Sequence, residues 1–263
     1  MALLLEYDGT NYAGWQRQNN GLAIQQVLEE AIEKLTGERT LTHASGRTDA
    51  GVHALGQVVH FDTQSRIPPH KFSLAVNTVL PEDIRVICSV AAKEDFHARF
   101  DAMGKTYRYA VCNSASGRAV GRQYCAHVPK ALDVEHMQQA AQAFLGAHDF
   151  NAFMAQGSPV KSTVRRVYES CVYKQEDMIY FEVAANGFLY NMVRIMAGTL
   201  LCVGLGKMRP EHVASLLHGN RREYAGYTAK AKGLTLLRLD YGEKSPFQAG
   251  GEGKNSEHTC IDG

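Results

Sequence analysis

One aspartate in this chain is flanked by glycines in a pattern that can display a carboxylate for chemistry. Asp49 lies in the run Gly46-Arg47-Thr48-Asp49-Ala50-Gly51-Val52-His53-Ala54, between strand-like segments at 40–44 and 57–61. Both glycines tolerate positive φ and close backbone approach, so the run predicts a tight loop between two strands. A carboxylate held there can act as a nucleophile or a base. Alternatively, Asp49 is only a turn residue that hydrogen-bonds its own backbone.

Five further motifs accompany this loop and extend over nearly the whole chain. They are Glu6-Tyr7-Asp8-Gly9-Thr10 with Gly14-Trp15-Gln16-Arg17-Gln18, Asp95-Phe96-His97-Ala98-Arg99-Phe100, Lys105-Thr106-Tyr107-Arg108-Tyr109, residues 186–194, and Ala231-Lys232-Gly233-Leu234. Together with the loop, they resemble the tRNA pseudouridine synthase A family in sequence and in order. The resemblance covers residues 2–241. Six motifs in one order are far more specific than any one of them.

The resemblance implies a role for each of five side chains. Asp49 matches the catalytic aspartate of the family. Arg194 matches an arginine that we expect beside Asp49, because a cation stabilises a carboxylate buried against substrate. Tyr107 matches the tyrosine that stacks on the target uracil, and Leu234 matches a leucine that lines the pocket. Arg47 matches the residue that helps to expel the uridine from its stack and fills its space.

Two of these side chains also have a purely structural interpretation. An arginine at the start of an apolar helix, such as Arg194, can extend to the surface. A tyrosine in a strand, such as Tyr107, can simply pack in the core. Arg47 lies two residues before Asp49, so both side chains point the same way on an extended segment.

Pseudouridine formation breaks the N1–C1′ bond of a uridine, turns the base and rejoins it through C5. The reaction needs no redox change, so the resemblance implies no cofactor and no metal. It leaves open whether Asp49 attacks C1′, attacks C6 or removes a ribose proton. It also implies a tRNA substrate with flipped-out uridines at positions 38, 39 and 40 of the anticodon stem-loop. The resemblance further implies a homodimer in which one protomer docks the tRNA body for the active site of the other.

The hydrophobic patterns predict an α+β fold of two ferredoxin-like (RRM-like) halves. Residues 1–104 form the first half, with strands at 2–7, 40–44, 57–61 and 84–90 and helices at 24–35 and 69–79. This order of strands and helices is ferredoxin-like. On the first helix, Glu29, Glu30 and Glu33 are expected to face solvent.

Residues 105–242 form the second half and repeat this order loosely. They read as strands at 107–112, 164–173, 178–184 and 234–241, and as helices near 137–145, at 190–203 and after Pro210. Asp133 is expected to cap the first of these helices and Gly146 to end it. The resemblance implies that both halves share a central antiparallel sheet flanked by helices, with a cleft between them. Residues 243–263 are expected to form a disordered tail.

Composition narrows the protein class further. The six cysteines are scattered without a C-x-x-C pair, which favours free thiols over a zinc site or a disulfide framework. The apolar run at 195–205 is shorter than the ~20 residues needed to cross a bilayer, and the first residues are too few for a signal-peptide core. We therefore expect a cytoplasmic protein that does not bind membranes.

The net charge of +1 neither favours nor excludes nucleic acid as a partner, because an RNA-binding surface needs local clusters of positive charge. Four such clusters are Arg118 with Arg122, Lys161 with Arg165 and Arg166, Arg221 with Arg222, and Lys230 with Lys232. Each can be an ordinary solvated surface, and together they are candidate phosphate contacts.

The sequence supports three competing functions. The first is an RNA isomerase, and the second is a non-catalytic RNA-binding module on the same scaffold. A binding module has no need of a carboxylate facing phosphates, so Asp49, Arg194 and Tyr107 together favour the isomerase. The third, a glycoside-type hydrolase, is weaker because its chemistry uses two carboxylates and no second acid accompanies the motif.

Overall fold

The computed structural model describes residues 1–157, 160–218 and 221–247. The strands in these residues are β1 Ala2–Tyr7, β2 His43–Ala44, β3 His53–His60, β4 Ile84–Val90, β5 Gly104–Cys112, β6 Ala126–His127, β7 Gly146–Asp149, β8 Val164–Gln175, β9 Met178–Ala185 and β10 Leu234–Asp240. The α-helices are α1 Ile24–Thr36, α2 Pro69–Asn77, α3 Val134–Gln142, α4 Met192–Gly204 and α5 Pro210–Leu216. The predicted α+β class is confirmed.

One mixed, mostly antiparallel sheet runs through both halves of the chain in the order β4-β1-β3-β10-β5-β9-β8-β7. In the first half, β2 also pairs with β3, which gives the strand order β4-β1-β3-β2. The second half repeats it as β10-β5-β9-β8. Both are the fourth-first-third-second order of a ferredoxin-like unit, so the halves share a topology although their sequences do not visibly repeat.

The two halves join where β3 and β10 pair in parallel, with Thr235 opposite His53 and Leu236 opposite Ala54. The Asp49 loop ends immediately before His53, so this pairing holds the loop against the second half. One hydrophobic core continues across the junction and includes Tyr107. The start of β3 is therefore fixed from both sides.

The strand predicted at 40–44 shortens to His43–Ala44 because Thr42 is bound to a side chain instead. The Thr42 amide and hydroxyl donate to Glu29 Oε1 at 2.9 and 3.1 Å. The predicted solvent-facing position of Glu29 is wrong: its side chain is buried and lies 3.1 Å from Arg17. A carboxylate with these partners can be buried at low cost.

The end predicted for α3 is also wrong. The helix ends at Gln142, and Gly146, with φ at +99°, begins β7 instead. The amides of Ala143 and Phe144 bond three residues back, which tightens the last turn and brings Phe144 into the core. The predicted cap is confirmed, since Asp133 accepts from the His136 amide at 3.0 Å.

The disordered tail predicted for 243–263 is wrong for its first residues. Residues Gly242–Lys244 form a 3₁₀ turn, and Lys244 contacts Asp101 at 2.6 Å. Phe247 packs against a small buried cluster that includes Tyr241. Residues 248–263, the rest of that prediction, lie outside the described residues. Within the described ranges, no helix is long and apolar enough to cross a membrane.

Candidate active site

The Asp49 loop is anchored on both sides of the aspartate. The Trp15 amide donates to the Thr48 carbonyl at 3.0 Å, and the hydroxyls of Tyr7 and Thr48 lie 2.8 Å apart. After the aspartate, the Val52 amide donates to the Asp49 carbonyl at 3.1 Å and closes the turn. Gly51 adopts φ of +76°, as the loop prediction allowed. Asp49 is therefore held on a rigid turn.

Gly14 explains why the N-terminal motif accompanies the loop. Its φ is +94°, and a Cβ at this residue would lie 2.5 Å from the Thr48 carbonyl oxygen and 3.0 Å from the Asp49 carbonyl carbon. A side chain would therefore collide with the loop backbone. The glycine lets the two backbones pack directly against each other.

The guanidinium of Arg194 binds the Asp49 carboxylate. Arg194 Nη1 lies 3.0 Å from Asp49 Oδ2, and the two side chains are 18% and 28% exposed. Arg194 also donates to the Ala229 carbonyl and to Asn191 Oδ1, both at 2.8 Å. The expected pairing is confirmed, and the alternative of an arginine extended to the surface is wrong. Across the described residues, the Asp49 carboxylate makes no hydrogen bond to its own backbone.

Tyr107 lies within electrostatic reach of Asp49. It is 8% exposed, and its ring packs edge-to-face on Phe188 with centroids 5.2 Å apart. Burial raises the pKa of its hydroxyl, and the nearby Tyr7 and Asp49 raise it further. Tyr107 therefore stays neutral and keeps a proton to donate at ordinary pH.

Leu234 and Arg47 lie in contrasting environments. Leu234 is buried at the start of β10, opposite Tyr109, in the core that also holds Tyr107. Arg47 is exposed on the loop and has no ion-pair partner among the described residues. Its side chain is free to reach a ligand, whereas that of Leu234 can only line a pocket wall.

A row of aromatic rings beside the start of the loop escaped the sequence analysis. The rings of His43 and His97 lie 5.1 and 4.6 Å from that of His60, and the ring of Phe100, which is 75% exposed, lies 4.2 Å from His97. Desolvation lowers the pKa of His60 to about 4, with smaller contributions from its histidine neighbours. The imidazole of His60 is therefore neutral at ordinary pH. Within the described part of the chain, no group of three or more His, Cys, Asp or Glu could hold a metal ion.

Two of the basic clusters meet next to the loop. Lys232 Nζ donates to the Arg122 carbonyl at 2.7 Å, and Ala231 lies 3.5 Å from where a Cβ on Gly51 would be. Lys230 on the other side of Ala231 is exposed. Positive charge is therefore concentrated beside the loop that carries the carboxylate.

Other members of the four clusters have partners within the protein. Arg118 pairs with Asp177 at 2.7 Å. Arg165 donates to the Ser162 and Val164 carbonyls, and Arg222 donates to the Gly226 carbonyl. The remaining members of those clusters, Lys161, Arg166 and Arg221, are exposed.

Comparison with known proteins identifies the family. A family model described as tRNA pseudouridine synthase matches residues 4–101 and 140–242. The chain is 50% identical over 240 residues to tRNA pseudouridine synthase A of Ruminiclostridium cellulolyticum, which covers 91% of this chain and 98% of that protein. The proteins of the same name from Thermoanaerobacter sp. and Acetivibrio thermocellus are 46% and 47% identical over 239 residues, with the same coverage. This chain belongs to the tRNA pseudouridine synthase family, a family of isomerases.

Proposed function

We propose that this member of the family converts uridine to pseudouridine at positions 38, 39 and 40 of the tRNA anticodon stem-loop, with Asp49 as the catalytic residue. The observation that carries the proposal is the 3.0 Å contact between Asp49 and Arg194, with buried Tyr107 within electrostatic reach of Asp49. These three residues come from distant parts of the chain. An ion pair held on a rigid turn next to an aromatic ring suits chemistry on a flipped-out base.

The reaction exchanges one glycosidic bond for another without oxidation. The N1–C1′ bond breaks, the C1′–C5 bond forms, the proton on C5 leaves and N1 gains a proton. Asp49 serves as nucleophile at C1′ or C6, or as the base that removes a ribose proton. Arg194 stabilises its charge in each case. The neutral hydroxyl of Tyr107 can relay the proton that leaves C5.

The uridine must leave its stack to reach Asp49. Arg47 is exposed two residues away and can fill the space that the base vacates. Tyr107 and Leu234 are both buried, so a uracil that stacks on Tyr107 has to displace a neighbouring side chain. Phe188 is only half-buried and lies edge-on to Tyr107, which makes it the side chain to move.

Recognition of several adjacent uridines requires contacts to tRNA shape and phosphates rather than to one base. The cations beside the loop, Arg122, Lys230 and Lys232, are proposed as phosphate contacts, and exposed Phe100 as a stacking surface for an unpaired base. A chain with net charge +1 offers limited basic surface. We therefore propose a homodimer in which one protomer docks the tRNA body for the other's active site.

The decisive test replaces the proposed catalytic carboxylate. Asp49→Ala should abolish pseudouridine formation while tRNA affinity stays within a few-fold, because the proposed phosphate contacts are other residues. Pseudouridine is mapped in tRNA after incubation with each protein, and Kd is measured in parallel. Asp62→Ala is the matched control, since Asp62 is exposed and outside the site. Conversion of uridine by Asp49→Ala would refute the assignment.

A further inference from the structure

Lys105 is a half-buried lysine that the proposed chemistry does not use. It lies on β5 two residues before Tyr107, so both side chains leave the strand on the same face. Its Nζ donates to the Ser45 carbonyl at 2.5 Å, although the two residues are 60 positions apart in the chain. The bond therefore joins the strand that carries Tyr107 to the start of the Asp49 loop.

The start of the loop is built around this lysine. Ser45 is fully buried, and its hydroxyl lies 2.5 Å from Gln57 Oε1. Gln57 Nε2 donates to the Gly46 carbonyl at 2.9 Å. Two successive carbonyls thus have dedicated side-chain donors, one from each half of the chain. Buried carbonyls without donors would be costly, and these donors also fix the direction of the backbone.

The absence of a side chain at Gly46 matters because of the space around its Cα and not because of its backbone conformation. The φ of Gly46 is not positive, whereas that of Gly51 is. A Cβ on Gly46 would lie 2.9 Å from Lys105 Nζ. The glycine therefore gives the ammonium access to the Ser45 carbonyl.

Burial of this lysine carries an energetic cost. Desolvation lowers the pKa of Lys105 to about 8, and the charge of Arg99 adds to the effect. Because this cost lowers stability, stability does not account for a lysine at this location. A role in holding the geometry of the site accounts for it.

We infer that Lys105 is a positioning residue that sets the placement of the Asp49 carboxylate relative to the Tyr107 ring. The strand pairing that joins the two halves is short, since β3 and β10 pair at only two residue positions. The bond from Lys105 to Ser45 adds a side-chain connection between the halves at the start of the loop. This inference rests on the proposed roles of Asp49 and Tyr107.

The kinetic test uses Lys105→Met, which keeps an unbranched apolar stem and removes the donor. We expect kcat for pseudouridine formation to fall about 10- to 100-fold, because small misplacements of reacting groups have effects of this size. KM and the Kd for tRNA should change less than about twofold, because the geometry of catalysis is altered and not RNA binding. Lys174→Met is the matched control, since Lys174 is an exposed strand lysine outside the site.

A second variant tests the same contact from the other side. Gly46→Ala places a methyl group against Nζ and should lower kcat in the wild-type background. In the Lys105→Met background it should add little, because the group it displaces is gone. Additive losses in the double variant would show that the two residues act separately and would overturn the inference. If Lys105→Met does not fold, Gly46→Ala decides alone, and an unchanged kcat overturns the inference.

Hydrogen exchange gives a readout that does not depend on activity. Amides of residues 45–52 should exchange faster in Lys105→Met, whereas those of β8 and β9 should not change. A rise in KM or Kd with constant kcat would make Lys105 an RNA contact and overturn the inference. If the wild type forms no pseudouridine, the proposed function fails. The exchange rates then decide by themselves whether Lys105 positions the loop.

Discussion

The connection between the second and third strands of each ferredoxin-like half differs between the two halves. In the second half, β8 and β9 are long, and only Glu176 and Asp177 separate them. In the first half, β2 has two residues, and residues 45–52 connect it to β3. Long strands pair over their full length and leave a minimal turn. The short β2 leaves a loop whose backbone must be held by other parts of the chain, and this loop can present a side chain.

Each connection carries an aspartate paired with an arginine, yet the pairs differ in their surroundings. Asp177 lies 2.7 Å from Arg118, and both side chains are about one-third exposed. Asp49 lies 3.0 Å from Arg194, which is less exposed and also bound to the Ala229 carbonyl and Asn191. The distance between the charged groups therefore does not distinguish the candidate catalytic pair from the surface pair. The two pairs differ in the burial of the arginine and in the number of groups that bind it.

The largest effect should come from breaking the pair in the loop. Arg194→Met should lower kcat about 10²- to 10³-fold, because it removes the charge that stabilises Asp49. The matched change in the hairpin, Asp177→Asn, should leave kcat within twofold and the free energy of unfolding within about 1 kcal/mol. Single-turnover rates and denaturant unfolding measure both. Equal effects of the two substitutions would remove the distinction between the pairs.

A smaller effect should follow from disturbing the contact between the Gly14 backbone and the loop at residues 45–52, which has no counterpart in the β8–β9 hairpin. Gly14→Ala should lower the free energy of unfolding by about 2–4 kcal/mol, because it combines strain at positive φ with a collision at the Thr48 carbonyl. Gly37→Ala is the control: its φ is +77° and no atom lies within 4 Å of its Cβ position. It should lose only the strain, about 1 kcal/mol. Urea unfolding measures the free energy of unfolding of both variants, with an unchanged m-value as the condition for comparing them. Similar losses in Gly14→Ala and Gly37→Ala would show that packing of Gly14 against the loop is unimportant.

The smallest effect should appear as a pH dependence of stability that comes from Lys105 at the start of the loop. Lys105 has a folded-state pKa of about 8, against 10.5 for an ordinary lysine. Between these values the unfolded chain binds more protons than the folded one, so stability rises with pH, by up to about 3 kcal/mol. Below pH 8 the contribution is constant.

The measurement is the difference in unfolding free energy between wild type and Lys105→Met from pH 7 to 10.5, which cancels the titration of the tyrosines. Lys174→Met, at the exposed end of the hairpin, is measured in parallel as the control substitution. A flat difference for Lys105 would mean that its ammonium is not desolvated.

Much of the fold was predictable because its determinants are local. The apolar spacing predicted helices at 24–35 and 69–79, and the structure has them at Ile24–Thr36 and Pro69–Asn77. Two of the exceptions arose where a distant group competed with local preference. Glu29 became buried because it binds Thr42, and the strand before the loop shortened for the same reason.

The sequence by itself determined the order of the strands and helices, the loop that displays Asp49, and the candidate residues around it, because hydrophobic spacing, turn residues and motifs are read along the chain. Only the tertiary structure decided which of these residues meet. Arg194 lies 145 positions from Asp49, and the Lys105 contact to Ser45 depends on how two halves pack at the β3–β10 junction. A contact across such a separation is set by the packing of whole elements, and no local pattern encodes it.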